Sequence, residues 1–139
     1  MQANAYLTFN GRCEAAFKFY EQHLGGKIVA MMNHEGLPPE DKAQLPPEML
    51  NAILHARLDL GSTVIMGSDA FAGRYEKPQG FSVSLLVDTP EEAERVFGAL
   101  SENGSVLMPI EETFWAIRFG MVTDQFGIPW MVNCEKSLG

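Results

Sequence analysis

The 139-residue chain is short of cysteine and of basic residues, and each shortage excludes a class of protein. Two cysteines, Cys13 and Cys134, build no disulfide framework, so a cytoplasmic protein with free thiols is expected. Ten Lys and Arg face eighteen Asp and Glu, a net charge of −8. A field of that sign repels phosphate backbones and anionic lipid, so nucleic acid and membrane are not expected partners. No stretch of the sequence reaches the roughly 20 apolar residues of a membrane helix. The opening MQANAYLTFNG has neither a basic nor an apolar run, so no secretory signal is expected there. A serine nucleophile elbow and a phosphate-cradling glycine loop are both absent from the sequence.

What is present suits a folded globule: 46% apolar and 20% charged residues. A chain of this length buries about two-thirds of its surface, enough for one real core, and a single domain over 1–139 is expected. Ala5 to Phe9 reads as a strand, followed by the turn signal Asn10-Gly11. From Cys13 to Leu24 apolar residues recur at helical spacing, through Ala16, Phe19, Tyr20 and His23, with Phe17 and Leu24 widening the stripe. Asn10 is the expected N-cap, and Gly25-Gly26 the stop. Lys27 to Asn33 is β-branched and apolar, a strand. Residues 34–50 hold Pro38-Pro39 and Pro46-Pro47 among acidic residues, which forbids a central strand and any long helix. This segment reads as an excursion of the kind that forms lids or binding loops.

Ile53 to Leu60 alternates strictly, with Ile53, His55, Arg57 and Asp59 on one face. Gly61-Ser62 turns the chain back into a strand from Thr63 to Gly67, and 68–79 reads as a loop. The order then recurs. Phe81 to Val87 is a strand. Thr89-Pro90-Glu91-Glu92 opens a helix with a capping box, its buried stripe Ala93, Val96, Phe97 and Leu100. Strands follow over Val106–Pro109, Phe114–Thr123 and Ile128–Cys134. Glu14-Ala15-Ala16 and Glu91-Glu92-Ala93 occupy matching places in the two helices. The chain is therefore an α+β protein of two tandem βαβββ modules, 1–79 and 80–139, neither of which buries its sheet alone.

The repeat, the opening YLTFNGRCEAAFKFY, the central LHARLDLGSTVIMGSD and the closing ETFWAIRFGMVTDQFGIPWMVNC together resemble the PhnB-like branch of the vicinal oxygen chelate superfamily. That superfamily takes in glyoxalase I, fosfomycin-resistance and bleomycin-resistance proteins and extradiol dioxygenases, and PhnB-like chains are often labelled 3-demethylubiquinone 3-methyltransferase-like. The resemblance implies curved mixed sheets around a cup between the modules, a homodimer, and a small-molecule ligand. It also implies, for enzymatic members, a divalent metal such as Zn, Ni, Mn or Fe. The metal-ligand places of the superfamily fall here on Ala5, His55, Ser82 and Met131. Of these only His55 is a good ligand; serine is a weak oxygen donor and methionine a soft thioether.

Two functional readings stand side by side. In one the chain binds a small molecule without a metal, using His55, Ser82 and Asn133 as polar anchors and Trp115 or Trp130 as an aromatic floor. In the other it is a metal-dependent lyase or dioxygenase in which His55 joins ligands from loops, such as His34, Glu111 or Glu112. His55 also reads plainly as a hydrogen-bonded pocket histidine, and the tryptophans as core or dimer interface. Arg118 is either a ligand contact or a salt-bridge partner. Arg57 is read as paired with Asp59 or Glu111. If His55 and Arg57 share an open face, they favour an anionic or oxygen-rich ligand. Cys13 lies in the first turn of a helix, where the dipole lowers a thiol pKa, yet a buried inert thiol is the simpler reading.

Overall fold

The computed structural model describes residues 1–71 and 73–136. Position 72, inside the loop expected over 68–79, and 137–139, the end of the expected second module, lie outside the described residues. The chain divides into two compact units, Met1–Glu76 and Lys77–Gly139.

In the first unit, strand β1 (Ala5–Phe9) turns Leu7 and Phe9 inward and leaves Tyr6 and Thr8 outward. Helix α1 (Cys13–Leu24) buries Cys13, Ala16, Phe17 and Tyr20. Ala16, Phe17 and Tyr20 are buried as expected, but the stripe is rotated toward Phe17, and Phe19 and His23 are only half-buried. The rotation brings Phe17 edge-on to Phe9, ring centroids 6.0 Å apart. Asn10 is not the cap. Arg12 holds the N-cap position without a side-chain cap bond. The acceptor comes instead from Asp69, whose carboxylate takes the Cys13 N–H at 3.0 Å and the Ile53 N–H at 2.8 Å. A buried carboxylate therefore satisfies a helix end and a strand entry together.

Strands β2 (Lys27–Met32), β3 (His55–Asp59) and β4 (Val64–Asp69) complete the sheet, in the order β1-β4-β3-β2. β1 runs parallel to β4, and the other pairings are antiparallel. The excursion holds a 3-10 turn at His34–Gly36, helix α2 (Pro39–Gln44) and a second 3-10 turn at Pro47–Met49, with Met49 tucked inside.

The second unit repeats the plan. β5 (Val83–Leu86), β6 (Ser105–Glu111), β7 (Ala116–Thr123) and β8 (Pro129–Glu135) form a sheet of order β5-β8-β7-β6, with β5 parallel to β8. Helix α3 (Pro90–Ser101) has Thr89 at its N-cap, the hydroxyl accepting the Glu92 N–H at 3.1 Å. The expected capping box is only half made, because the Glu92 carboxylate pairs with Arg95 at 2.6 Å. β6 runs further than expected, through Pro109, because it is an edge strand with two register breaks. There a missing N–H costs no ladder bond.

Two glycines mark the same place in the two units. A Cβ on Gly26 would stand 2.8 Å from the Asp59 carbonyl, and one on Gly104 would stand 2.5 Å from that of Thr123. In each unit the chain leaving the helix brushes the backbone at the end of the third strand, which leaves room for hydrogen only. The first-unit sheet packs one face under α1 through Phe9, Ala56, Leu58 and Ile65, and the second-unit sheet packs one under α3 through Val122, Trp130 and Val132. Among the described residues neither α1 nor α3 packs on the opposite face of its sheet, and it is there that the chemistry collects.

Candidate ligand-binding faces

On the second unit's face away from α3, β7 and β8 place Met121 opposite Met131, and Phe119 opposite Asn133. Ser84 and Leu86 of β5 lie beside Met131 and Asn133. A cavity of about 450 Å³ opens over this face, lined by Phe81, Ser82, Leu107, Met121, Thr123 and Met131 among others. Its size and its apolar lining with a few hydroxyls are those of a small-molecule pocket. The methionines make the floor adaptable, since an unbranched thioether refits to different shapes at low cost. Ser82 and Met131, the two second-module places where the superfamily resemblance puts ligands, thus share one cavity.

One step along the strands from Met131, the Asn133 side-chain oxygen is buried and has no hydrogen-bond partner among the described residues. A stranded buried acceptor costs about 1–3 kcal/mol, so it is a place where a donor on a ligand gains. From Phe119 an aromatic row leads outward. Its ring is 5.3 Å from that of Trp115, edge-on, and Trp115 is 4.7 Å from Phe114. Phe114 is 88% exposed and Trp115 is 42% exposed, an unusual cost for aromatic surface with nothing over it.

Two expected site residues sit on the other side of this sheet. Trp130 is fully buried beneath α3, and its indole N–H donates to Asp124 at 2.8 Å. Asp124 also accepts the Phe126 and Ile128 N–H groups, so it ties the last turn to the core. Arg118 pairs with Glu94 of α3 at 3.0 Å and donates to the Ile117 carbonyl. This is the salt-bridge reading of Arg118.

On the first unit's face away from α1 stand Tyr6, His55, Arg57 and Met66. The Tyr6 hydroxyl is 3.4 Å from His55 Nδ1, and the rings stack with centroids 5.9 Å apart. His55 and Arg57 are two residues apart on β3 and so share this face. The expected salt bridge of Arg57 is not made. Among the described residues its guanidinium has no ion pair, and Asp59 instead caps the Gly61 N–H at 2.8 Å. Sequence reasoning left Arg118 open between a ligand contact and a salt bridge and read Arg57 as paired; Arg118 is the one that is paired. Its only signal lay in partners far away in sequence, Glu94 being on another element from Arg118.

Cys13 is buried, and its thiol is pushed up to about 12. Desolvation is the main cause, and the charges of Asp69 and Glu14 add to it. The helix dipole loses to burial, and a thiol held neutral is no nucleophile.

Comparison with known proteins agrees with this architecture. The model of the Glyoxalase/Bleomycin resistance protein/Dioxygenase superfamily matches residues 2–132. The chain belongs to that superfamily. It is 36% identical over 142 residues to Protein YjdN of Escherichia coli (strain K12), covering 98% of this chain and 97% of YjdN. The crystal structure of protein PA1353 from Pseudomonas aeruginosa is similar at a TM-score of 0.88 and 49% identity, with 99% of each chain covered. A PhnB protein from Bacillus cereus shares the fold at a TM-score of 0.78 and 23% identity, covering 96% of this chain and 99% of its own.

Superfamily membership raises the question of a metal, and the donors here do not fit one. Ala5 has no donor atom, Ser82 and Met131 are poor ligands for a catalytic divalent ion, and only His55 suits the task. Among the described residues no three of His, Cys, Asp and Glu gather within reach of one ion. Of the loop residues that could substitute, Glu111 is exposed, and Glu112 pairs with Lys136 at 3.4 Å. His34 lies in a 3-10 turn, its Nδ1 buried and without a partner among the described residues. Among the described residues no helix is long and apolar enough to cross a membrane.

Proposed function

We propose that this superfamily member works by binding a small molecule, and that the cavity over Ser82, Met121 and Met131 is where the body of that molecule lies. The observation that carries this reading is the cavity itself, about 450 Å³ on the sheet face away from α3. Asn133 supports it as an anchor for a ligand donor, and Trp115 with Phe119 as an aromatic edge. His55 serves as a polar anchor on the first unit's open face. The two buried, unlinked thiols suit a cytoplasmic setting.

The test is a fragment screen read through the methionine methyl signals of the folded protein. Binders are expected to move Met121 and Met131 together, and Met131→Trp, which fills the cavity, should abolish the response while leaving the fold intact. A screen in which no fragment perturbs these methyls overturns the reading. The rival reading, a metal-dependent lyase or dioxygenase, is checked by elemental analysis after dialysis against Zn²⁺, Ni²⁺, Mn²⁺ and Fe²⁺. Retention of about one ion per chain, lost in His55→Ala, would replace the binding reading with the enzymatic one. No retained metal leaves the binding reading in front.

A further inference from the structure

We infer that the first unit carries an oxyanion-recognition site on the sheet face away from α1, built by Arg57, His55 and Tyr6 and suited to a carboxylate or phosphoryl group of a small molecule. The inference concerns the other unit and does not depend on the reading of the second-unit cavity.

Arg57 lies within β3, opposite Met66 of β4, which is in turn opposite Tyr6 of β1. On its other side the register partner is Ala30 of β2. A small residue on one flank and a flexible one on the other leave the guanidinium room to move over the face. His55 stands two residues away on the same strand, about 6.7 Å along it. The Tyr6 hydroxyl reaches His55 Nδ1, so hydroxyl, imidazole and guanidinium are gathered over three adjacent strands. Every one of these groups is able to donate a hydrogen bond.

The charge makes the arrangement informative. The protein carries −8, and in it Lys18, Arg95, Arg118 and Lys136 are each paired with a carboxylate. Among the described residues Arg57 is in no ion pair, and neither are Lys27, Lys42, Arg74 and Lys77; of the two arginines in that group, Arg57 is the one that stands within a strand. The nearest acid on its own strand, Asp59, sits across from Lys27 and is turned to the Gly61 N–H. An arginine kept free of carboxylates in an acidic molecule offers its planar fork to an external anion, and the fork matches two oxygens of a carboxylate or phosphoryl group.

The probe is inorganic phosphate, titrated into the full chain at pH 7 against sodium chloride of matched ionic strength, with sodium acetate as a second arm. The readouts are the Arg57 Nε–H and His55 ring signals by NMR. Saturable shifts in phosphate or acetate, absent in chloride, are expected; the stronger arm tells phosphoryl from carboxylate. Arg57→Gln should weaken the response about tenfold or more, the worth of a charge-assisted pair of hydrogen bonds. Lys18→Gln, on the exposed side of α1 across the sheet, should leave it unchanged. The absence of a saturable shift in both arms, or a response that survives Arg57→Gln, overturns the inference.

Discussion

Asp69 and Asp124 are the two acids that the fold takes inside, and each does the same kind of work. Asp69 accepts the Cys13 and Ile53 N–H groups, and Asp124 accepts those of Phe126, Ile128 and the Trp130 indole. Both hold a chain crossing that no hydrophobic contact could orient, because a carboxylate fixes direction as well as position. Cys13 lies beside the first of them, and burial, with the Asp69 charge added to it, holds its thiol neutral. With a folded pKa near 12 against an ordinary value of 9.0, only the unfolded chain ionises between those pH values. The unfolded state thus binds fewer protons there, and stability should fall as pH rises from about 9 toward 12. Below that window Cys13 has no effect. In Cys13→Ala the alkaline loss should be smaller, measured by urea unfolding from pH 7 to 11. Iodoacetamide at pH 8 should modify Cys13 only after unfolding; fast modification of the native chain would mean that the thiol is not held neutral.

At the scale of elements, the repeated unit rests on a local device used twice. The chain leaves each helix and passes so close to a strand end that Gly26 and Gly104 have no room for a side chain. Gly104→Ala would place a methyl 2.5 Å from the Thr123 carbonyl, a backbone atom that cannot swing aside as a side chain could. A loss of about 2 kcal/mol is expected, the usual size of an overpacking strain. Chemical denaturation checks it; an unchanged midpoint would mean that the helix exit is free to shift. The helix caps show how local and distant acceptors compete. Thr89 caps α3 from its own sequence, whereas α1 takes Asp69 from 56 residues on. Sequence spacing identifies the first kind of cap and is blind to the second.

At the scale of the molecule, apolar surface remains uncovered on the chain taken singly. Leu86, Leu107, Phe114 and Phe81 are each more than half exposed. Such surface is normal in scattered single residues and costly in rows, and here Leu107 and Phe81 border the cavity. We expect a homodimer. Sedimentation equilibrium should give twice the 15.4 kDa chain mass, and Phe114→Asp should raise the monomer fraction without unfolding either unit. A monomer at micromolar concentration would remove dimerisation as the cover for these residues.

The sequence alone determined the elements and their repetition, because hydrophobic period, turn residues and the Thr89-Pro90 helix start are local properties. The alternation of His55 and Arg57 was legible for the same reason, since a strand has a period of two. Only the tertiary structure decided which cation is free and which acid is inside. Arg118 and Arg57 look alike in sequence, each on an amphipathic strand. Glu94, carried in on α3, engages the first, and a turn amide draws Asp59 from the second. Such pairings depend on which elements pack together, and no local pattern contains that. The cavity likewise needs β5 to β8 assembled before Ser82 meets Met121 and Met131.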